Sequence, residues 1–114
     1  MLPKQHRLPA YLIPKVIKQG VRFRSANFTL IVLKAEKDIA SCFAFNVAVR
    51  FDKRSTRRNR LKRKLREFVR LRVGKIKKGY NVMCQVSKPE RRIKLVQINL
   101  ELEKLLRKAE LLEN

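Results

Sequence analysis

Of the 29 residues from Arg50 to Lys78, fifteen are Lys or Arg and only Asp52 and Glu67 are acidic, so 13 of the net +21 charge lies in that stretch. The chemistry such a segment offers is phosphate binding. A guanidinium is a planar fork that gives a phosphate two parallel hydrogen bonds. Few acids stand four residues from a cation here, so the segment has little means of neutralising itself. The chain as a whole carries 30 Lys and Arg against nine Asp and Glu, with a pI near 11.2. That surface repels itself, and a dense polyanion relieves the repulsion. Nucleic acid meets the description best. A membrane surface would demand a wider apolar stripe than this segment has. A charge run on a helix is often a solvated face, but the density of Arg and the scarcity of acids favour a binding role.

Residues for hydrolysis are missing. Ahead of the C-terminal segment the acids are Glu36, Asp38, Asp52, Glu67 and Glu90, with no paired spacing beyond Glu36 and Asp38 in a turn. His6 stands alone in a Pro-rich start, without a general-base partner. Cys42 and Cys84 are isolated in strand-like runs, unlike the close pairs of a zinc site. They are expected to be buried free thiols. The residues therefore point to no catalytic group and no metal site.

The elements that must position the basic block can be read from periodicity. At 114 residues the chain is expected to form one domain over 1–114, and 45% hydrophobic residues suffice for a core. Pro14 to Gln19 predicts a short helix with Pro14 in its first turn and Gly20 at its end. Asn27 to Leu33 reads as a strand, and Lys34 to Asp38 as a charged turn. In Ile39 to Val49, Phe43, Phe45, Val47 and Val49 alternate with Cys42, Ala44, Asn46 and Ala48, giving a strand with one bulky face.

Ser55 or Thr56 can cap the basic helix, and Gly74 or Gly79 can end it. Leu61, Leu65, Phe68, Val69 and Arg72 form its narrow docking stripe. Asn59, Arg63, Arg66 and Arg70 point away from that stripe, with Arg60 and Glu67 on one flank and Lys62 on the other. Glu67 can pair with Arg63 or Arg70. Asn81 to Val86 reads as a strand, which Pro89 breaks. Leu95, Ile98, Leu102, Leu105, Leu106 and Ala109 make the apolar face of a closing helix. That end is near neutral, with three basic and four acidic residues from Asn99 to Asn114. No run approaches the roughly 18 apolar residues of a spanning helix, and MLPKQHRLPAYLIPK lacks a signal-peptide core. A cytoplasmic protein with no membrane association is expected.

The segment RRNRLKRKLRE, Arg57 to Glu67, resembles the Arg-Asn-Arg motif of the bacterial ribonuclease P protein family, with Lys-Arg and Arg-Glu following at the same spacing. The opening MLPKQHRL, Gly20 to Ser25 with Phe28, Phe43 to Val49, and the closing LEKLLRKAEL are also similar to that family, so the likeness covers nearly the whole chain. The resemblance implies an α+β fold, a small two-layer α/β sandwich ordered helix, three strands, helix, strand, helix. Two of the first three strands are clear in the sequence. The third falls between Arg22 and Phe28, or is part of a bent hairpin. The family's strand-helix-strand crossover is left-handed, against the usual rule.

The resemblance also implies a function: the protein subunit of ribonuclease P. Such a subunit binds the catalytic RNA and the 5′ leader of precursor tRNA, and assists RNA-catalysed removal of the leader. Magnesium ions (Mg2+) are held mainly by the RNA, and no protein partner is evident. Carried over by position, Arg57, Arg58, Asn59, Arg60, Lys62, Arg63 and Arg66 would bind the catalytic RNA. Ile13, Ile17, Phe28, Ile31, Arg50, Phe51 and Lys53 would bind the leader. There the chain departs from the family. Ile13, Ile17 and Ile31 stand where aromatics are usual, and Val49-Arg50-Phe51 replaces Ser-Lys-Lys. Base stacking, worth roughly 1–3 kcal/mol per base, would have to come from Phe51, Phe28 or another ring. Two alternatives compete: a ribosomal or ribosome-assembly protein that binds rRNA through the same basic helix, and a self-sufficient nuclease.

Overall fold

The structure is a computed structural model that describes residues 2–47, 53–86 and 95–112. After short 3-10 turns at Lys4–His6 and Ala10–Leu12, α1 spans Ile13–Gln19 with Pro14 in its first turn. A proline there has no intrahelical hydrogen bond to lose. Gly20 ends the helix and donates its N–H to the Val16 carbonyl (2.8 Å). A Cβ at Gly20 would lie 2.6 Å from Ile31 Cγ2 and from the Val16 oxygen, so close approach of helix to strand requires glycine here.

The chain then runs through β1 (Val21–Arg24), β2 (Phe28–Lys34) and β3 (Cys42–Val47) into α2 (Ser55–Arg70). A 3-10 turn at Val73–Lys75 leads to β4 (Tyr80–Val86), and α3 (Leu95–Lys108) closes the fold. The sheet order is β1-β2-β4-β3. β2 is antiparallel to β1 and β4, whereas β3 and β4 are adjacent and parallel, so α2 is the crossover between them. The third strand of the first group is β1, hairpinned to β2 through Ser25 to Asn27. None of the described helices is long and apolar enough to cross a membrane.

Strand pleating divides the sheet into two faces. Phe28, Leu30 and Val32 of β2, Phe43 and Val47 of β3, and Val82, Cys84 and Val86 of β4 form the main core. Against them pack Leu61, Leu65, Phe68 and Val69 of α2 and Ile98, Leu102, Leu105 and Leu106 of α3. On the opposite face, Val16 of α1 and Leu8 cover Ile31 and Met83. The N-terminal segment lies beside β3, with Leu8 N–H donating to the Phe43 carbonyl (2.9 Å) and Leu2 buried in the main core. Cys42 and Cys84 are free thiols, Cys84 buried and Cys42 half-buried. Burial, and secondarily the Glu101 charge, push the Cys84 thiol up to about 12.

The ends of α2 differ from the expectation. The helix begins at Ser55 itself, with Arg54 at the capping position and no side-chain cap from Ser55 or Thr56. It stops at Arg70, before either glycine. Arg72 does the work expected of glycine: its Nη1 donates to the Phe68 carbonyl (3.0 Å), satisfying an acceptor of the last turn. β3 also starts later than Ile39. Ser41 instead donates through Oγ to the Lys77 carbonyl (2.5 Å) and accepts the Tyr80 N–H (3.1 Å), which ties the β2–β3 connection to the start of β4. Ala48, Val49 and Pro89 lie outside the described residues.

Leu65 is fully buried at the centre of the α2 stripe. Leu65→Ala should lower unfolding stability by about 2–5 kcal/mol. Urea titration checks this, with an unchanged denaturant slope marking loss of packing alone.

Candidate RNA interface

The sixteen residues of α2 include eight Lys or Arg and one acid, Glu67. Asn59, Arg60, Arg63, Lys64, Arg66 and Arg70 are exposed on the side away from the core. Residues three and four apart on a helix are about 5–6 Å from each other at Cβ, so these cations crowd one another. Glu67 pairs with Arg70 through both its oxygens and not with Arg63. The Arg70 hydrogen bond holds the Glu67 carboxyl below its ordinary value, and Glu67 in turn raises that of Arg70. Arg60, Arg63, Lys64 and Arg66 make no ion pair with any described residue. Arg57 and Lys62 are half-buried, and Arg58 donates to the Lys53 carbonyl (3.0 Å).

Beyond the last turn, Arg72 is fixed. Its guanidinium lies 3.8 Å from the Phe68 ring centroid and donates to Glu103 Oε1 from Nε (3.0 Å) and Nη2 (2.8 Å). This locks the end of α2 onto α3 and leaves the exposed row of α2 to face a partner.

The other face of the sheet is covered only in part by α1. Ile13 and Ile17 are half-buried beside Val16. Beyond the helix, register aligns Arg24, Thr29, Gln85 and Asn46 in one rung across all four strands. With strands about 4.8 Å apart, this polar track is about 14 Å long. Arg22 stands one rung back, beside Ile31. Arg22, Arg24 and Asn46 are exposed, Gln85 is half-buried and Thr29 is buried between them. The arrangement is a basic and polar shelf bordered by the apolar flank of α1, suited to an extended single strand.

Two of the leader-binding expectations need correction. Phe28 is fully buried on the face packed against α2 and α3, one pleat away from Thr29, so its ring cannot stack on anything bound at the shelf. Ile31 does face α1 but is also fully buried beneath Val16. Lys53 is exposed just ahead of α2, and Arg50 and Phe51 lie outside the described residues. The alternation in β3 had placed Asn46 on a small polar face. Arg24 and Gln85 join it only through strand register, which no local pattern reveals.

Among the described residues, no group of three or more His, Cys, Asp or Glu is placed to hold a metal ion. His6 is occupied with the Ser41 carbonyl (3.0 Å from Nδ1), and Glu103 holds Arg72. The donors among the described residues do not form a site that fits a magnesium ion.

The family model for ribonuclease P matches residues 2–110. The chain belongs to the ribonuclease P protein family. It is 32% identical over 94 residues to the ribonuclease P protein component of Finegoldia magna, covering 82% of this chain and 80% of that one. It is 35% identical over 86 residues to the component from Synechocystis, covering 75% and 69%. The ribonuclease P protein of Thermotoga maritima superimposes with a TM-score of 0.81 at 27% identity, over 90% of this chain and 98% of that one. That of Staphylococcus aureus does so with a TM-score of 0.83 at 20% identity, over 96% and 100%. The role of ribonuclease P protein subunit follows, and nothing in these likenesses supports a ribosomal protein.

For this ribonuclease P protein, changing Arg60, Arg63 and Arg66 together to Glu should weaken binding to ribonuclease P RNA by several kcal/mol with the fold intact, since charge-assisted bonds contribute about 1.5–3 kcal/mol each. Filter binding and circular dichroism check both halves. Binding by the native chain should fall with salt, with a slope of log K against log salt near about −4 for some six phosphate contacts to single strands.

Proposed function

We propose that the outer row of α2 binds the catalytic RNA while the shelf beside α1 holds the 5′ leader of precursor tRNA. The observation that carries this reading is the row Arg60, Arg63, Lys64 and Arg66: exposed, adjacent and unmatched by any described acid. Asn59, Arg57, Arg58 and Lys62 extend the same surface. The leader reading draws on Ile13 and Ile17 as an apolar border, with Arg22, Arg24, Asn46, Gln85 and Lys53 as polar and cationic contacts. α2 packs on one face of the sheet and α1 on the other. Two RNA segments can therefore be held at once.

On this account the chemistry belongs to the RNA, and magnesium is bound mainly by RNA groups. The protein's own residues bind, orient and screen. Guanidiniums spread along α2 lower the phosphate repulsion that opposes bringing substrate and catalytic RNA together. Fixing the leader on a rigid sheet restricts the precursor to orientations near the one that reacts.

Cleavage assays separate these contributions. Protein alone should cleave no precursor tRNA at any magnesium concentration. RNA alone should keep some activity at high magnesium, and added protein should lower the magnesium requirement and tighten leader-bearing precursors more than mature tRNA. Cleavage by RNA-free protein, or equal tightening of precursor and mature tRNA, would contradict the proposal.

A further inference from the structure

One carboxylate on α3 holds the neighbouring turn between β1 and β2, 74 to 76 residues away in sequence. Glu101 Oε2 accepts the Ser25 hydroxyl and the Asn27 backbone N–H (2.8 Å), and its Oε1 accepts Asn27 Nδ2 (2.9 Å). The turn is also closed locally, with Ser25 N–H donating to the Phe28 carbonyl (2.9 Å) and Phe28 N–H donating to Ser25 Oγ (3.3 Å). Glu67 and Glu103 are matched to arginines. Glu101 answers three neutral donors within a span of three residues.

β1 is an edge strand joined to the sheet through β2 alone, over the four pairs from Val21↔Val32 to Arg24↔Thr29. A short edge ribbon is a weak cooperative unit that opens readily unless another element holds it. Its Arg22 and Arg24 line the shelf, whereas Phe23 faces the main core beneath α3. A charged acceptor makes each bond to the turn stronger than a neutral one would. Two oxygens answering donors from both ends of the turn fix its orientation as well as its distance.

We propose that Glu101 is a positioning residue for the leader: by clamping Ser25 and Asn27 to α3, it fixes where Arg22 and Arg24 stand along the shelf. The inference rests on the leader reading given above. Glu101 lies on α3, which packs on the face of the sheet opposite the shelf, and its hydrogen bonds go to the β1–β2 turn, so its effect reaches bound RNA through β1.

The test is the affinity of the holoenzyme for precursor tRNA carrying a long leader or a one-nucleotide leader. The native chain should bind the long leader more tightly. Glu101→Ala should reduce that gain about tenfold, as expected when the competent position of β1 falls to about a tenth of the population. Affinity for the catalytic RNA and for the short-leader precursor should stay as in the native chain. Glu101→Gln should recover most of the gain, because its amide oxygen still accepts from the turn. If Glu101→Ala does not fold, the double variant Ser25→Ala with Asn27→Ala, which leaves α3 untouched, must show the same selective loss. Equal loss for both leaders, or full retention of the gain in Glu101→Ala and in the double variant, overturns the positioning role. A native chain with no leader gain overturns the leader reading itself, a result separable from the other two.

Discussion

Eight cations on a sixteen-residue helix repel one another, and α2 exists because its narrow apolar side outweighs that repulsion. Like charges one turn apart cost about 0.2–0.5 kcal/mol per pair. Arg57 and Arg58 add to this by standing in the first turn, at the positive end of the helix dipole. Against these terms stand Leu61, Leu65, Phe68 and Val69, all buried, at about 1.5–3 kcal/mol each. Packing wins, and the helix holds its charges in a fixed array. Arg72 completes the arrangement by joining the end of α2 to Phe68 and Glu103.

The same packing determines what the rest of the sheet can do. α2 and α3 cover one face, so the rung from Arg24 to Asn46 is left on the other, with Arg24 and Asn46 exposed, Gln85 half-buried and Thr29 buried beside short α1. A helix longer than the seven residues of α1 would cover more of that shelf. Pro9 and Pro14, with Gly20 pressed against Ile31, keep it short. A highly charged surface and a shallow polar surface are thus separated by the thickness of the sheet, which suits contact with two RNA segments.

Much of this was legible in sequence because periodicity reports burial directly. The alternation from Phe43 to Val47 and the stripe from Leu61 to Val69 match the faces that pack. Helix ends were less legible, since Ser55, Thr56, Gly74 and Gly79 have the right chemistry for capping, yet Arg54 and Leu71 occupy the cap positions of α2 and Arg72 beyond them satisfies the Phe68 carbonyl. Phe28 was misplaced for another reason. Aromatic character suggests stacking, but a strand residue's face is set by the parity of its register, and Phe28 shares parity with Leu30 and Val32 in the core. The shelf and the Glu101 clamp join residues from up to four elements. Such sites become visible only once strand order and register are known.

The central claim is that the outer row of α2 is built to receive phosphates. Thermal unfolding in inorganic tripolyphosphate, compared with sodium chloride at equal ionic strength, tests it without any RNA. For the native chain, Tm should rise by about 10 °C when the anion is near one hundred times its dissociation constant. With Arg60, Arg63 and Arg66 all changed to Gln, Tm without the anion should be higher, because repulsion is relieved, and the rise should largely vanish. An equal rise in both proteins, or none in the native chain, would contradict the account.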